Sequence, residues 1–119
     1  MNKAFFSTIV AFPLLLAPVV TLAGQPVDNY GTADLTSAKY DAVVAKLEPI
    51  ALRDRGDESV LLNLAMAYRH TGRIAEAAAL YRRVLALDNA ELETANGGTI
   101  MSHTIARRSL AQPLQLSSR

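Results

Sequence analysis

The chain has 119 residues, half of them hydrophobic by the A/V/I/L/M/F/W/Y/C count but only 6% aromatic, with a formal net charge of +1. That length holds one domain, and the balanced charge argues against a nucleic-acid arm or a polybasic membrane patch. The absence of cysteine excludes a disulfide scaffold, a thiolate zinc site, a lipoprotein-type anchor and a cysteine nucleophile. Residues 1–23 (MNKAFFSTIVAFPLLLAPVVTLA) then read as a secretory signal peptide. Lys3 opens it, a nearly continuous apolar run follows from Ile9 to Leu22, and Thr21-Leu22-Ala23 offers small residues at the two positions a signal peptidase reads. The competing reading, a retained membrane anchor, wants about 20 apolar residues, and here Pro13 and Pro18 interrupt a shorter run. Cleavage before Gly24 leaves 96 residues with 11 basic and 11 acidic side chains, hence zero net charge.

Residues 24–36 mix Gly, Pro, Asp and Asn without a lasting apolar period and read as an extended or disordered arm. The fold is expected to begin near Ser37, a good helix N-cap. From there the helical domain is expected to run over 37–111. Over 38–54, Tyr40, Val43, Val44, Leu47, Ile50 and Ala51 recur at three- and four-residue steps, the stripe of an amphipathic helix that Pro49 kinks or briefly breaks. Asp57 caps a second helix, 58–70, with Leu61, Leu64, Ala65 and Tyr68 on one face, and Gly72 ends it. A third helix, 73–87, lines up Ile74, Ala77, Tyr81 and Val84. Short turns between such helices make them antiparallel neighbours. Over 91–101, Asn96-Gly97 predicts a small β-hairpin, with an irregular loop as the alternative. Ser102 is expected to cap a short helix over 103–111, and residues 112–119 to form a flexible tail.

Sliding the chain against itself by 34 residues sets Tyr40 on Ile74, Val43 on Ala77, Leu47 on Tyr81 and Ile50 on Val84, and Ser37–Lys39 on Thr71–Arg73. A helix–turn–helix unit of that period is the period of the tetratricopeptide repeat. Residues 58–91 resemble one complete repeat of that family. Leu61 stands where the family usually has tryptophan, and Leu64-Ala65, Tyr68, Gly72, Ala77, Tyr81 and Val84 stand at its other signature positions. Asn89 replaces the usual proline, and residues 38–57 resemble the second half of a preceding repeat. The resemblance implies an all-α fold of antiparallel helix pairs, about one and a half repeats, with the hairpin and the short last helix appended.

It also implies a groove. The face of the 58–70 helix left over after core assignment shows Ser59, Leu62, Asn63, Met66, Arg69 and His70. In the family this inner face holds extended peptides or partner helices, so Leu62, Asn63, Met66, Arg69 and His70 are the expected partner-binding residues. Asn63 offers donors and an acceptor to a peptide backbone, Leu62 and Met66 adaptable apolar contact, and Arg69 a fork for a carboxylate. The alternative is that Leu62 and Met66 pack against the preceding helix as core. No catalytic, cofactor-binding or metal-binding residues are expected: His70 and His103 lie 33 residues apart without converging ligands, and Asn96-Gly97-Gly98 lacks a phosphate-loop frame. The expectation is an exported, periplasmic, non-enzymatic interaction module whose partner is another exported protein or a second copy of itself, with no nucleic acid and no membrane span after signal cleavage. The competing expectation is a structural subunit of a larger assembly, with no free groove.

Overall fold

The computed structural model describes residues 20–22, 30–54 and 56–112. Most of the expected signal peptide, the first part of the expected arm (24–29) and the tail beyond Gln112 lie outside the described residues. The described chain forms β1 (Val20–Leu22), α1 (Thr32–Thr36), α2 (Tyr40–Arg53), α3 (Glu58–His70), α4 (Ile74–Ala86), β2 (Glu91–Thr94), β3 (Thr99–Met101) and α5 (Ser102–Ala111). The helices dominate, as the apolar periods require, and the three short strands make one antiparallel sheet in the order β1-β2-β3.

The two central helices follow from local signals. Asp57 caps α3, its Oδ1 accepting from the backbone N–H groups of Ser59 (3.0 Å) and Val60 (3.2 Å), which satisfies two of the orphan donors of the first turn. At the other end Gly72 takes a left-handed φ of 86°, and the Arg73 N–H donates to the Tyr68 carbonyl at 2.8 Å. This closes the helix and turns the chain into α4. α3 and α4 form the most extensive helix contact in the fold. Ala65 and Ala77 are both buried there, with Tyr68 and Tyr81 buried beside them. Small residues at the crossing let the backbones approach while the tyrosine rings fill the flanks. α2 packs on the opposite side of α3 and runs through Pro49 as one helix, with the proline on its exposed side.

Two expectations need correction at the N-terminal end. The segment read as an extended or disordered arm is folded from Tyr30 onward. Tyr30, Gly31, Thr32 and Leu35 are buried, and residues 32–36 form α1. Accordingly Ser37 is not the N-cap of α2. It ends α1, and Lys39 begins the next helix. The reason is the repeat itself. Ser37, Ala38 and Lys39 N–H groups donate to the carbonyls of Ala33, Leu35 and Asp34. Thirty-four residues on, Thr71, Gly72 and Arg73 donate to Ala67, Arg69 and Tyr68 in the same pattern. α1 is thus the last turn or so of a first-repeat helix equivalent to α3, and Ala38 (φ 61°) occupies the left-handed position that Gly72 fills in the second repeat.

The hairpin forms where expected. β2 and β3 pair with Glu91 opposite Met101 and Leu92 opposite Ile100. The loop is Ala95–Gly97, closed by Gly97 N–H to the Thr94 carbonyl (3.0 Å) and Thr94 N–H to the Gly98 carbonyl (2.8 Å). Gly97 alone takes a positive φ, 91°, the pattern of a three-residue loop with glycine at the bulge. Leu92 is buried and Ile100 partly so, which ties the hairpin to the helical core. β1 pairs with the other edge of β2, Val20 opposite Thr94 and Leu22 opposite Leu92. It falls inside the stretch read as the signal peptide, so a cut after Ala23 removes one strand from this sheet. Asn89, at the place of the family's proline, has a task here. Its Oδ1 accepts from the His103 N–H at 3.0 Å and so caps α5 from outside. Ser102, expected as that cap, is instead the first residue of α5, and its hydroxyl accepts from the Ala90 N–H at 2.9 Å.

The Ala65–Ala77 crossing makes a direct prediction. Ala65→Leu inserts three heavy atoms at a position with no exposed surface and is expected to destabilise the fold by about 1–3 kcal/mol. Thermal unfolding measures this, and an unchanged melting temperature contradicts the close helix approach.

Candidate functional site

The face of α3 expected to line a groove is covered by the chain itself. Every residue from Ser59 to Tyr68 is buried, so this helix has no solvent stripe over its central turns, the condition of a helix packed on all sides. Leu62 is 2% exposed, Met66 5% and Asn63 0%. The reading of Leu62, Asn63 and Met66 as an open partner-binding surface is therefore corrected. The neighbours that close it are α2, α4, α5, β1 and the segment containing Tyr30 and α1.

Asn63 does bind a backbone, but one of its own chain. Its side-chain Nδ2 donates to the Tyr30 carbonyl at 3.0 Å, with both residues buried. Tyr30 opens the described segment, and its carbonyl is met by the Asn63 amide. A buried carbonyl without a donor is costly, so this bond fixes where the segment meets α3. The Tyr30 ring end is held as well. Its hydroxyl hydrogen-bonds Asp57, the α3 cap, and burial followed by the charges of Asp57 and Asp54 pushes its pKa up. The same burial, outweighing the backbone N–H groups of the cap, raises the Asp57 carboxyl. One aspartate thus joins the helix start to the segment that covers it.

The two remaining expected site residues are also committed. Arg69 reaches across to α5. Its Nη1 donates to the Ser109 carbonyl at 2.8 Å and its Nη2 to the Gln112 carbonyl at 3.4 Å. Both carbonyls lie at the C-terminus of α5, where positive charge is favoured. Instead of clamping a ligand carboxylate, Arg69 fastens the last helix to the repeat. His70 stacks on Tyr40 with ring centroids 4.2 Å apart and planes 5° apart. Its Nε2 is buried without a hydrogen-bond partner, and burial, then the nearby Arg69 charge, lowers its pKa. His103 serves the other end of α5: its Nε2 donates to the Leu87 carbonyl at 2.8 Å. The two histidines therefore work at separate helix junctions. Among the described residues, no group of three or more His, Cys, Asp and Glu side chains is placed to hold a metal ion.

A second polar cluster, invisible to spacing arguments, joins α2, α3 and α4 on the surface. The Tyr68 hydroxyl donates to Glu48, and the Arg73 guanidinium lies 4.3 Å from the centroid of the Tyr68 ring. Arg73 also pairs with Glu76 at 2.9 Å and Glu48 at 3.4 Å. Burial, then the bond and charge of Glu48, push the Tyr68 phenol up to about 12. Cation–π and charge-assisted contacts of this kind stabilise a repeat turn without making a reactive site. Large apolar side chains that stay exposed are Leu52 (72%), on the outside of α2, and Met101 (37%), on the edge strand β3.

Two measurements check these assignments. Asn63→Ala strands the Tyr30 carbonyl and is expected to cost about 1–3 kcal/mol, read from denaturant unfolding. A variant as stable as the parent contradicts the bond. For His70, the folded state favours the neutral ring, so its contribution is complete above the ordinary histidine value of about 6.5 and is lost as pH falls below it, levelling once pH passes the folded value. His70→Phe keeps an aromatic ring on Tyr40 and is expected to remove that part of the stability loss between about pH 7.5 and 5. Identical pH profiles contradict the assignment.

No match was found among curated proteins or among solved structures. A protein-family model does match most of the chain, residues 11–104, from within the expected signal segment through the hairpin to the start of α5. That match agrees with the tetratricopeptide-like helical fold. The chain belongs to the bacterial transcriptional activator domain family, a tetratricopeptide-like helical fold.

Proposed function

We propose that this chain is an exported, non-enzymatic protein-interaction module, periplasmic in location, that associates with another exported protein or with a second copy of itself. The observation that supports this most directly is the Asn63–Tyr30 contact on a tetratricopeptide-like helix pair. A buried amide on that face donates to the backbone of another segment, here one of its own chain, which is the chemistry of segment recognition. Because the α3 face is filled from within the chain, partner contacts fall to the outer surfaces, where Leu52 and Met101 are exposed. Export rests on the charge, apolar run and small residues of the first 23 positions. The family description speaks of transcriptional activators, and a regulatory role through DNA is the reading it would favour. The near-equal counts, 12 basic and 11 acidic side chains, favour protein over nucleic acid as the contact. A second reading, a structural subunit without a free groove, is favoured by the burial of Leu62 and Met66.

In-cell crosslinking of the tagged full-length chain, followed by fractionation and capture, separates these readings. The expected result is a chain beginning at Gly24, recovered from the envelope fraction with a protein partner or a second copy attached. Substituting Leu52 with Asp is expected to reduce that recovery. A chain found in the cytoplasmic fraction, or crosslinked to DNA, contradicts the proposal.

A further inference from the structure

The turn between α1 and α2 is the weak joint of the first repeat. Its counterpart between α3 and α4 uses Gly72 at the left-handed position, where glycine carries no steric penalty. Here Ala38 is held at φ 61° within the same pattern of backbone bonds, and an L-residue with a Cβ is strained in that region. Nothing else in the stretch opposes a helix. From Thr32 to Glu48 there is neither glycine nor proline, and alanine and lysine are good helix formers. The turn bonds are replaceable as well: Ser37 N–H already donates four residues back to Ala33, and the N–H groups of Ala38 and Lys39 find carbonyls four residues back if α1 and α2 run on as one helix.

We propose that straightening at Ala38 releases the Tyr30–Thr36 segment, together with β1 where that strand is retained, from its own α3 and β2 and delivers it to a second copy, giving a segment-exchanged dimer. In that dimer α1 and α2 form one continuous helix, and Asn63 of each copy receives the Tyr30 carbonyl of the other. The buried surface at the segment is the same in both states, so the strain at the joint sets the balance. Short, strained connections favour exchange over closure. A penalty worth roughly tenfold at each joint amounts to about a hundredfold for the two joints of a dimer.

Ala38→Gly removes the strain, restores the turn chemistry already present at Gly72 and leaves the core untouched. After refolding at high protein concentration, the full chain is expected to sediment as a concentration-dependent mixture of monomer and dimer. Ala38→Gly is expected to be monomeric at the same concentrations, with dimer association weakened about a hundredfold. Replacing Ser37 with Ala, a stronger helix former, is expected to raise the dimer fraction. A chain that is monomeric with either Ala or Gly at position 38, or a dimer of equal strength in both, overturns the proposal. The exchange rests on the second-copy arm of the proposed function, whereas capture of an unlike partner from the envelope does not depend on position 38, so the two accounts fail separately.

Discussion

α3 has no face for solvent over its central turns, and the amide of Asn63 in its middle must find its partners inside the protein. That constraint organises the rest. The apolar side chains of α3 are covered by α2, α4, α5, β1 and the α1 segment. The polar group at the centre is met by the backbone of Tyr30. A buried helix of this kind gains apolar burial on every side, but each polar atom on it carries the cost of leaving water unless it is paired. Asn63 is paired. Ser59 is not, and its unpartnered hydroxyl lies on the helix that the first-repeat remnant covers.

One and a half repeats are too few to close a stack by repetition alone, and the fold shows how the open sides are finished. At one end a truncated first-repeat helix, α1, lies over the start of α3, anchored by Asn63 and by the Tyr30–Asp57 contact. At the other end the hairpin and α5 replace the next repeat. Arg69 secures the C-terminus of α5 and His103 with Asn89 its N-terminus. The residues that a longer array would present to a ligand are here used to hold the caps. This is a physical reason for reading the outer surface, not the α3 face, as the place where partners meet the protein.

Much of this was legible in the residues. Apolar spacing located α2, α3 and α4, Asp57 and Gly72 set the bounds of α3, and Asn96-Gly97 placed the hairpin loop. α1 was missed because five residues with one buried leucine show no period. Carrying the 34-residue register upstream would have found it, since Tyr30-Gly31 then falls on Leu64-Ala65. The α3 face was misjudged for a related reason. Spacing tells which residues share a side, but not how many neighbours a helix has. The run Leu61, Leu62, Leu64, Ala65, Met66, Ala67 is apolar around most of its circumference, which is the mark of a helix buried on all sides. The roles of Arg69 and Asn89 depend on where α5 docks, and no local pattern encodes that.

The central claim is that the α3 face is interior, covered by α2, α4, α5, β1 and the Tyr30–Thr36 segment. The most direct test is the paramagnetic broadening of methyl signals by a soluble relaxation agent, recorded on the full chain. The account predicts that the methyls of Leu62 and Met66 are protected like that of Leu61, while those of Leu52 are strongly broadened. Broadening of Leu62 and Met66 to the level of Leu52 would show an open groove and contradict it.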